Sequence, residues 1–293
     1  MCGILGVFTA DETQIPDRQA LQRFLAPLIP RGPDHQAVRT GPGIGFGHTR
    51  LAVMDLGDQA NQPIGNSDAG ELVFNGEIYN FMALAESLGD ADLVGAGDTR
   101  ILHRWLQRQG AMADPATLDG MFALAFHDRD ADRLLLLRDA FGQKPLYYTQ
   151  IKDQLWFASD PAPLRLAMGQ SRLDASAVSA WLATGASDLA TGQSLFRGIK
   201  VLQPGHRLVV SRADLGRAEL PVPQRWHQFE RQQDSAESAI KQLHQSVSDR
   251  LVSEVPLGAM LSGGVDSALL VSLIAEHRPL DGFNTYAVGY EHD

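Results

Sequence analysis

The chain has 293 residues, 44% of them hydrophobic, and 25 basic against 35 acidic side chains leave a net charge of −10. This composition belongs to an ordinary globular protein, excludes disordered, collagenous and fibrous classes, and disfavours non-specific nucleic-acid binding. No run approaches the roughly 18 apolar residues of a membrane span, and the opening Met-Cys-Gly-Ile lacks a signal peptide's basic region. The single cysteine permits no internal disulfide, so a cytoplasmic location is expected, with no membrane or nucleic-acid partner.

Apolar residues 4–8 between small neighbours predict a buried strand directly behind Cys2. Residues 17–28 carry Leu21, Leu25 and Leu28 at helical spacing ahead of Pro30, which predicts a helix. Strands are expected over 43–53 and 71–74, and helices over 78–88 and 99–106. Strands then follow one another at 121–126, 134–137, 146–148 and 155–157, with breaks at 128–132, 142–145 and around Asp153. Runs of strands with helices between others predict two stacked sheets flanked by helices, and not an alternating βα fold.

Residues 211–234 contain Pro221 and Pro223 and no sustained apolar period, and read as a linker. After it, residues 236–251 form an amphipathic pattern with Ile240, Leu243, Val247 and Leu251 on one face. A strand at 256–261, a Gly-rich loop, a helix at 268–276 and a strand at 283–288 would open a parallel α/β domain.

Two places carry chemistry. Methionine is commonly removed before a small residue, which would leave Cys2 with both a free amine (pKa about 7.7–8.0) and a thiol (about 8.5). The amine can then accept the thiol proton, the arrangement of an N-terminal nucleophile. Taken by position alone, Cys2 also suits a small buried hydrophobe. The second place is Ser262-Gly263-Gly264-Val265-Asp266-Ser267, between an expected strand and an expected helix. Its glycines let consecutive N–H groups face one anion at a helix N-terminus, with the hydroxyls of Ser262 and Ser267 as extra donors. It lacks the Gly-Lys-Ser/Thr ending of a Walker A loop and matches the pyrophosphate loop of enzymes that split ATP into AMP and pyrophosphate.

Other segments complete a pattern: Arg31-Gly32-Pro33-Asp34, His48-Thr49-Arg50-Leu51-Ala52-Val53, Asn75-Gly76-Glu77-Ile78-Tyr79-Asn80, Gly120-Met121-Phe122-Ala123 and the run from Arg138 to Tyr148. With Cys2 and the glycine loop, in this order, they resemble the glutamine-hydrolysing asparagine synthetases over essentially the whole chain. The resemblance implies an α+β, N-terminal-nucleophile αββα sandwich of four layers, followed by the beginning of an α/β parallel-sheet ATP-pyrophosphatase domain. Its expected parts are a glutaminase over 2–210, a linker over 211–234 and an incomplete synthetase over 235–293.

For the glutaminase, the resemblance makes Cys2 the nucleophile and the Asn75 side chain with the Gly76 N–H the oxyanion donors. Arg50 would bind the α-carboxylate of L-glutamine, Glu77 and Asp98 its α-ammonium, and Leu51, Ala52, Val53 and Met54 would complete the substrate contacts. For the synthetase, Leu261 and Val288 would line an adenine pocket while Ser262, Gly263, Gly264, Asp266 and Ser267 hold phosphates. L-Aspartate would be activated with ATP and Mg2+, the metal held mostly by phosphate oxygens. Glutamine hydrolysis itself needs no cofactor, and a homodimer is expected.

Blander readings apply elsewhere. Residues 31–34 read as a structural loop, His48 as a hydrogen-bonding core histidine, and Arg138, Asp139 and Lys144 as an ion-pair and turn framework. The nine histidines show no zinc-ligand spacing, so no metal site is expected. Pro30 and Arg100 depart from the family's common residues. Two alternatives stand beside the main reading: a related amidotransferase with another ammonia acceptor, and a non-catalytic partner-binding fragment.

Overall fold

The computed structural model describes residues 1–66, 70–169, 172–185, 192–230, 235–279 and 282–289. By its contacts the chain divides into two units, Met1–Ala52 with Gly57–Gln228, and Val53–Leu56 with Phe229–Asp293.

In chain order the first unit contains β1 (Gly3–Thr9), α1 (Arg18–Leu25), β2 (His35–Gly41), β3 (Ile44–Arg50), β4 (Ile64–Asn66), β5 (Gly70–Ile78), α2 (Phe81–Leu88) and α3 (Asp98–Gln109). It continues with β6 (Gly120–Asp128), β7 (Arg133–Arg138), β8 (Tyr147–Ile151), β9 (Gln154–Ala158), α4 (Pro161–Met168) and α5 (Ala175–Thr184). β10 (Lys200–Val201), β11 (His206–Ser211), α6 (Arg212–Leu215) and β12 (Gln224–Arg225) close it. The strands form two six-stranded sheets, ordered β10-β8-β9-β1-β3-β2 and β12-β11-β7-β6-β5-β4, and all their pairings are antiparallel.

Alternation along the strands explains why the sheets stack. In β7, Leu134 and Leu136 enter one core while Leu135 and Leu137 enter another. In β1, Ile4 and Phe8 face the first of these, and Leu5 and Val7 face a third. The shared core, which includes Val73, Ala123 and Ala125, lies between the sheets. The outer faces are covered by α2 and α3 on one side, through Leu84, Ile101 and Trp105, and by α1 and α4 on the other, through Leu21, Leu25 and Leu164. Period-two burial on both faces of a strand therefore yields four layers, αββα.

The structure corrects several sequence expectations. β2 was not foreseen: its seven residues are mostly polar because it is an edge strand, with only Val38 buried. β3 ends at Arg50, short of 53, and β5 continues to Ile78, so α2 starts at Phe81 and not at 78. Ile78 is an apolar core residue of a strand, which periodicity alone cannot distinguish from a helix start. Within the expected linker, α6 and β12 are short elements, and Trp226 and Gly205 share a backbone hydrogen bond. Residues 231–234 of that linker, and 280–281 and 290–293 of the final segment, lie outside the described residues.

The second unit holds α7 (Ala236–Asp249), β13 (Gly258–Met260), α8 (Val265–His277) and β14 (Asn284–Tyr286). β13 and β14 pair in parallel, with α8 as the crossover between them. Val247 and Leu273 are buried, whereas Leu269 and Leu270 stay 46% and 44% exposed. Among the described residues, no helix is long and apolar enough to cross a membrane.

Candidate active site

Cys2 precedes β1, and the antiparallel register Gly3↔Thr49 sets it opposite the end of β3. Its half-buried thiol lies against Leu51, whose N–H donates to Sγ (3.4 Å) and whose carbonyl faces it at 3.6 Å. Arg31 Nε donates to the Cys2 carbonyl at 3.1 Å. Burial raises the thiol pKa, and the Leu51 hydrogen bond, the terminal amine and Arg50 oppose that rise. The terminal amine is Met1's in this chain as described, and burial, then the nearby Lys144 and Arg31, lower its pKa.

Arg50 is 6% exposed and donates from Nη1 to the Gly57 carbonyl (3.0 Å) and to Asn61 Oδ1 (2.8 Å). Asp34 ties down the following turn, accepting from the Ala52 N–H at 2.8 Å, while its own N–H donates to the Arg50 carbonyl at 2.9 Å. Residues 31–34 thus serve as a structural loop that touches both Cys2 and the Arg50 turn. Val53 and Met54 fall in the segment grouped with the second unit, where Val53 O accepts from Glu254 N at 3.1 Å.

On β5, Asn75 is 1% exposed, and among the described residues neither its Oδ1 nor its Nδ2 has a hydrogen-bond partner. Leaving a buried carboxamide unpaired costs about 1–3 kcal/mol, which marks it as a group awaiting a ligand. Next to it, Gly76 lies against β6: a Cβ there would sit 2.1 Å from the Met121 carbonyl and 2.7 Å from Phe122 Cα. Only glycine fits.

Glu77 and Asp98 form a carboxylate pair. Burial raises the Glu77 pKa to about 8, the Asp98 charge adds to that rise, and Lys144 and the terminal amine oppose it. Asp98 opens α3 and is 3% exposed, accepting from the N–H groups of Ile78 (3.0 Å) and Thr99 (2.6 Å). A half-buried carboxylate coupled to a buried one suits a cationic partner. Lys144, 7% exposed, has its own pKa lowered by burial, with Glu77 and Cys2 pulling it back up.

The Arg138–Lys144 framework works through the backbone. Arg138 donates to the carbonyls of Lys144, Leu202 and Gly142 (2.8, 2.7 and 2.7 Å), and Asp139 accepts from the N–H groups of Phe122, Phe141, Gln143 and Lys144. His48 is fully buried, and desolvation lowers its pKa to about 3. It is therefore neutral, and its Nε2 carries the proton, because the partner at 3.2 Å is the Phe74 carbonyl.

In the second unit, Gly264 caps α8 with no side-chain hydrogen bond, and Ser262 Oγ and Ser267 Oγ lie 3.2 Å apart. Gly263 has φ +82°, with nothing within 4 Å of where a Cβ would stand. Ser267 Oγ donates to the Gly264 carbonyl at 3.0 Å, and the N-terminus of the 13-residue α8 beside the Ser262 hydroxyl fits a phosphate group. Leu261 is half-buried and Val288 is 73% exposed. Among the described residues, no group of three or more His, Cys, Asp or Glu side chains could hold a metal ion.

Sequence reasoning missed Asn61, Gly57 and Gln62, which support Arg50 and β5. They sit in a polar loop without periodicity, so no local signal marks them.

Residues 1–220 match the model of the glutamine amidotransferase domain family, and residues 239–293 match that of asparagine synthase. Asparagine synthetase [glutamine-hydrolyzing] 1 of Bacillus subtilis is 30% identical over 99% of this chain and 46% of its own length. Amidase chry2 of Gibberella zeae is 26% identical over 94% of this chain and 43% of its own. The chain spans about half the length of such curated relatives. Among solved structures, the glutamine phosphoribosylpyrophosphate amidotransferase of B. subtilis shares the fold, with a TM-score of 0.51 at 16% identity over 98% of this chain and 65% of that one. The sandwich, the unpaired buried Asn75 and the family match over 1–220 agree: the chain belongs to the glutamine amidotransferase family.

Proposed function

We propose that the first unit hydrolyses L-glutamine to L-glutamate and ammonia, with Cys2 as nucleophile. The whole protein would be a glutamine-dependent asparagine synthase that converts L-aspartate to L-asparagine. The observation that carries the glutaminase reading is Asn75, a carboxamide 1% exposed with both polar atoms unpaired.

After removal of Met1, the Cys2 α-amine takes the thiol proton and Sγ attacks the side-chain amide carbon of glutamine. The oxygen gains negative charge in the tetrahedral intermediate, and Asn75 Nδ2 with the Gly76 N–H stabilises it; each such donor is worth about 10²–10³ in rate. The C–N bond breaks as the ammonium returns its proton, so ammonia leaves. Water then adds to the thioester, and the C–S bond breaks to give glutamate and the thiol. Arg50 holds the substrate α-carboxylate as a fork, and Glu77 with Asp98 holds the α-ammonium. Leu51 and Ala52 flank the nucleophile.

In the second unit, Ser262, Gly263, Gly264, Asp266 and Ser267 would hold ATP phosphates, with Mg2+ on the phosphate oxygens and adenine near Leu261 and Val288. ATP supplies the leaving group that activates the acceptor carboxylate. A single cysteine supports a reducing compartment such as the cytoplasm. The likeness to amidase chry2, a relative not named as an asparagine synthetase, supports keeping a second reading, a related amidotransferase with a different ammonia acceptor.

The test is glutamate and ammonia release at pH 8 from protein whose intact mass lacks Met1. Cys2→Ala is expected to lose at least about 10³-fold; equal release from both proteins contradicts the reading. In the whole protein, ATP cleavage stimulated by aspartate supports asparagine synthesis, and stimulation by another acid alone supports the second reading.

A further inference from the structure

The short segment from Gly57 to Gln62 touches both ends of the candidate glutamine site, all within the first unit. At one end, Asn61 Oδ1 and the Gly57 carbonyl accept from Arg50 Nη1, at 2.8 and 3.0 Å. The orientation of the Asn61 amide is not free. Its Nδ2 donates to Asp58 Oδ1 at 3.0 Å, and its backbone N–H donates to the Asp58 carbonyl, also at 3.0 Å. A carboxylate can only accept, so Nδ2 must face Asp58 and Oδ1 must face the guanidinium.

The adjacent residue acts at the other end. Gln62 is 4% exposed, and its Oε1 accepts the Phe74 N–H at 2.6 Å. β4 pairs with β5 only as far as Ile64↔Leu72, so the Phe74 N–H lies beyond the ladder, and the Gln62 side chain takes the place of the missing strand. On the other side of the same residue, the Phe74 carbonyl accepts from His48. Both polar groups of Phe74 are thus fixed, and the next residue is Asn75.

We propose that Asn61 and Gln62 form a length gauge for the amino-acid amide: Asn61 sets the Arg50 guanidinium and Gln62 sets the strand that presents Asn75, so their adjacency fixes the span from carboxylate clamp to amide-activating donor. The inference rests on the glutaminase reading above. The substrate class it specifies is an α-amino-acid ω-amide with two methylenes between α-carbon and amide, as in L-glutamine. L-Asparagine, one methylene shorter, is expected to be the poorer substrate. Asn61 and Gln62 are positioning residues, since they act through Arg50 and Asn75.

The experiment measures kcat and KM for L-glutamine, L-asparagine and L-homoglutamine on wild type, Asn61→Ala, Asn61→Gln and Gln62→Ala, each with its melting temperature. Asn61→Ala is expected to raise KM for glutamine about 10-fold with kcat within about twofold, and Gln62→Ala to lower kcat about 10-fold with KM within about twofold. Asn61→Gln is expected to change the ratio of kcat/KM between glutamine and the other two amides by about 10-fold. A merely structural lesion lowers the active fraction equally for all three amides and leaves the ratio and KM unchanged. That outcome in the Asn61 variants, with wild type turning over glutamine, overturns the gauge alone. Absence of turnover in wild-type protein lacking Met1 overturns the glutaminase reading and the gauge with it. Should Asn61→Gln fail to fold, Asn61→Ala and Asn61→Ser, which only shorten the side chain, give the same KM-against-kcat readout.

Discussion

Glu77 keeps its proton up to about pH 8, because burial and then the Asp98 charge disfavour the carboxylate. In the unfolded chain the same group titrates near 4.5. The folded state therefore binds this proton more tightly. The stability it contributes is full below about pH 4.5 and is lost as pH rises through about 8. Glu77→Gln removes that loss. We expect the variant to melt at the wild-type temperature at pH 4.5 and higher at pH 9, by at least about 2–4 °C, the response to 1 kcal/mol in a domain of this size. In the proposed glutaminase, function moves the other way: the substrate α-ammonium draws Glu77 into its ionised form, a charge that an amide cannot supply. KM for glutamine should rise about 10-fold or more, the worth of a charge-assisted hydrogen bond. Equal melting at pH 9, or an unchanged KM, contradicts the role given to the pair.

At the scale of elements, Arg212 pins α6 to the strands that carry the site. Its Nε donates to Asp132 Oδ2 (2.7 Å), its Nη1 donates to the Thr9 and Gly43 carbonyls (2.6 and 3.2 Å), and the guanidinium stacks 4.5 Å from the Phe8 ring centroid. Arg212→Ala takes this donor from the Thr9 carbonyl and the Asp132 carboxylate, while the Gly43 carbonyl keeps the Thr9 N–H at 3.0 Å. A loss of about 1–3 kcal/mol in denaturant unfolding is expected, discounted for the partial exposure of Asp132. Unfolding indistinguishable from wild type would contradict it.

Elements of this kind differ in how far the sequence discloses them. β6 and β7 are legible because their unbroken apolar runs report burial on both faces, and α1 and α3 because leucines and isoleucines recur at helical spacing. β2 is illegible: an edge strand buries one face at most, and its polar residues carry no period. The start of α2 is misread because Ile78 suits a strand end and a helix start equally. In the site, Cys2, Arg50, Asn75, Gly76, Glu77 and Asp98 stand out through their motifs and their chemistry. Asn61 and Gln62 do not, because their partners, Arg50 and Phe74, are chosen by how a loop folds back in space. The turn around Asp139 was foreseen, but its carboxylate spends its acceptors on four N–H groups, a pattern set by local geometry that charge counting does not see.

Over the whole molecule, the candidate site draws on both sheets of the first unit. β1 and β3 of one sheet bring Cys2 and Arg50, while β5 of the other brings Asn75, Gly76 and Glu77, and α3 adds Asp98. In the proposed mechanism the αββα sandwich holds the nucleophile on one sheet and the oxyanion donors on the other. The second unit contributes a strand–loop–helix of a different chemistry, suited to phosphate. In the proposed reaction Cys2 becomes acylated by glutamine. Protein lacking Met1, mixed with L-glutamine and quenched in acid within milliseconds to seconds, tests it most directly by mass spectrometry of the N-terminal peptide. A γ-glutamyl adduct on Cys2 that forms and decays at the rate of glutamate release is the predicted result; glutamate release with no adduct on that peptide, or with the adduct elsewhere, would contradict it.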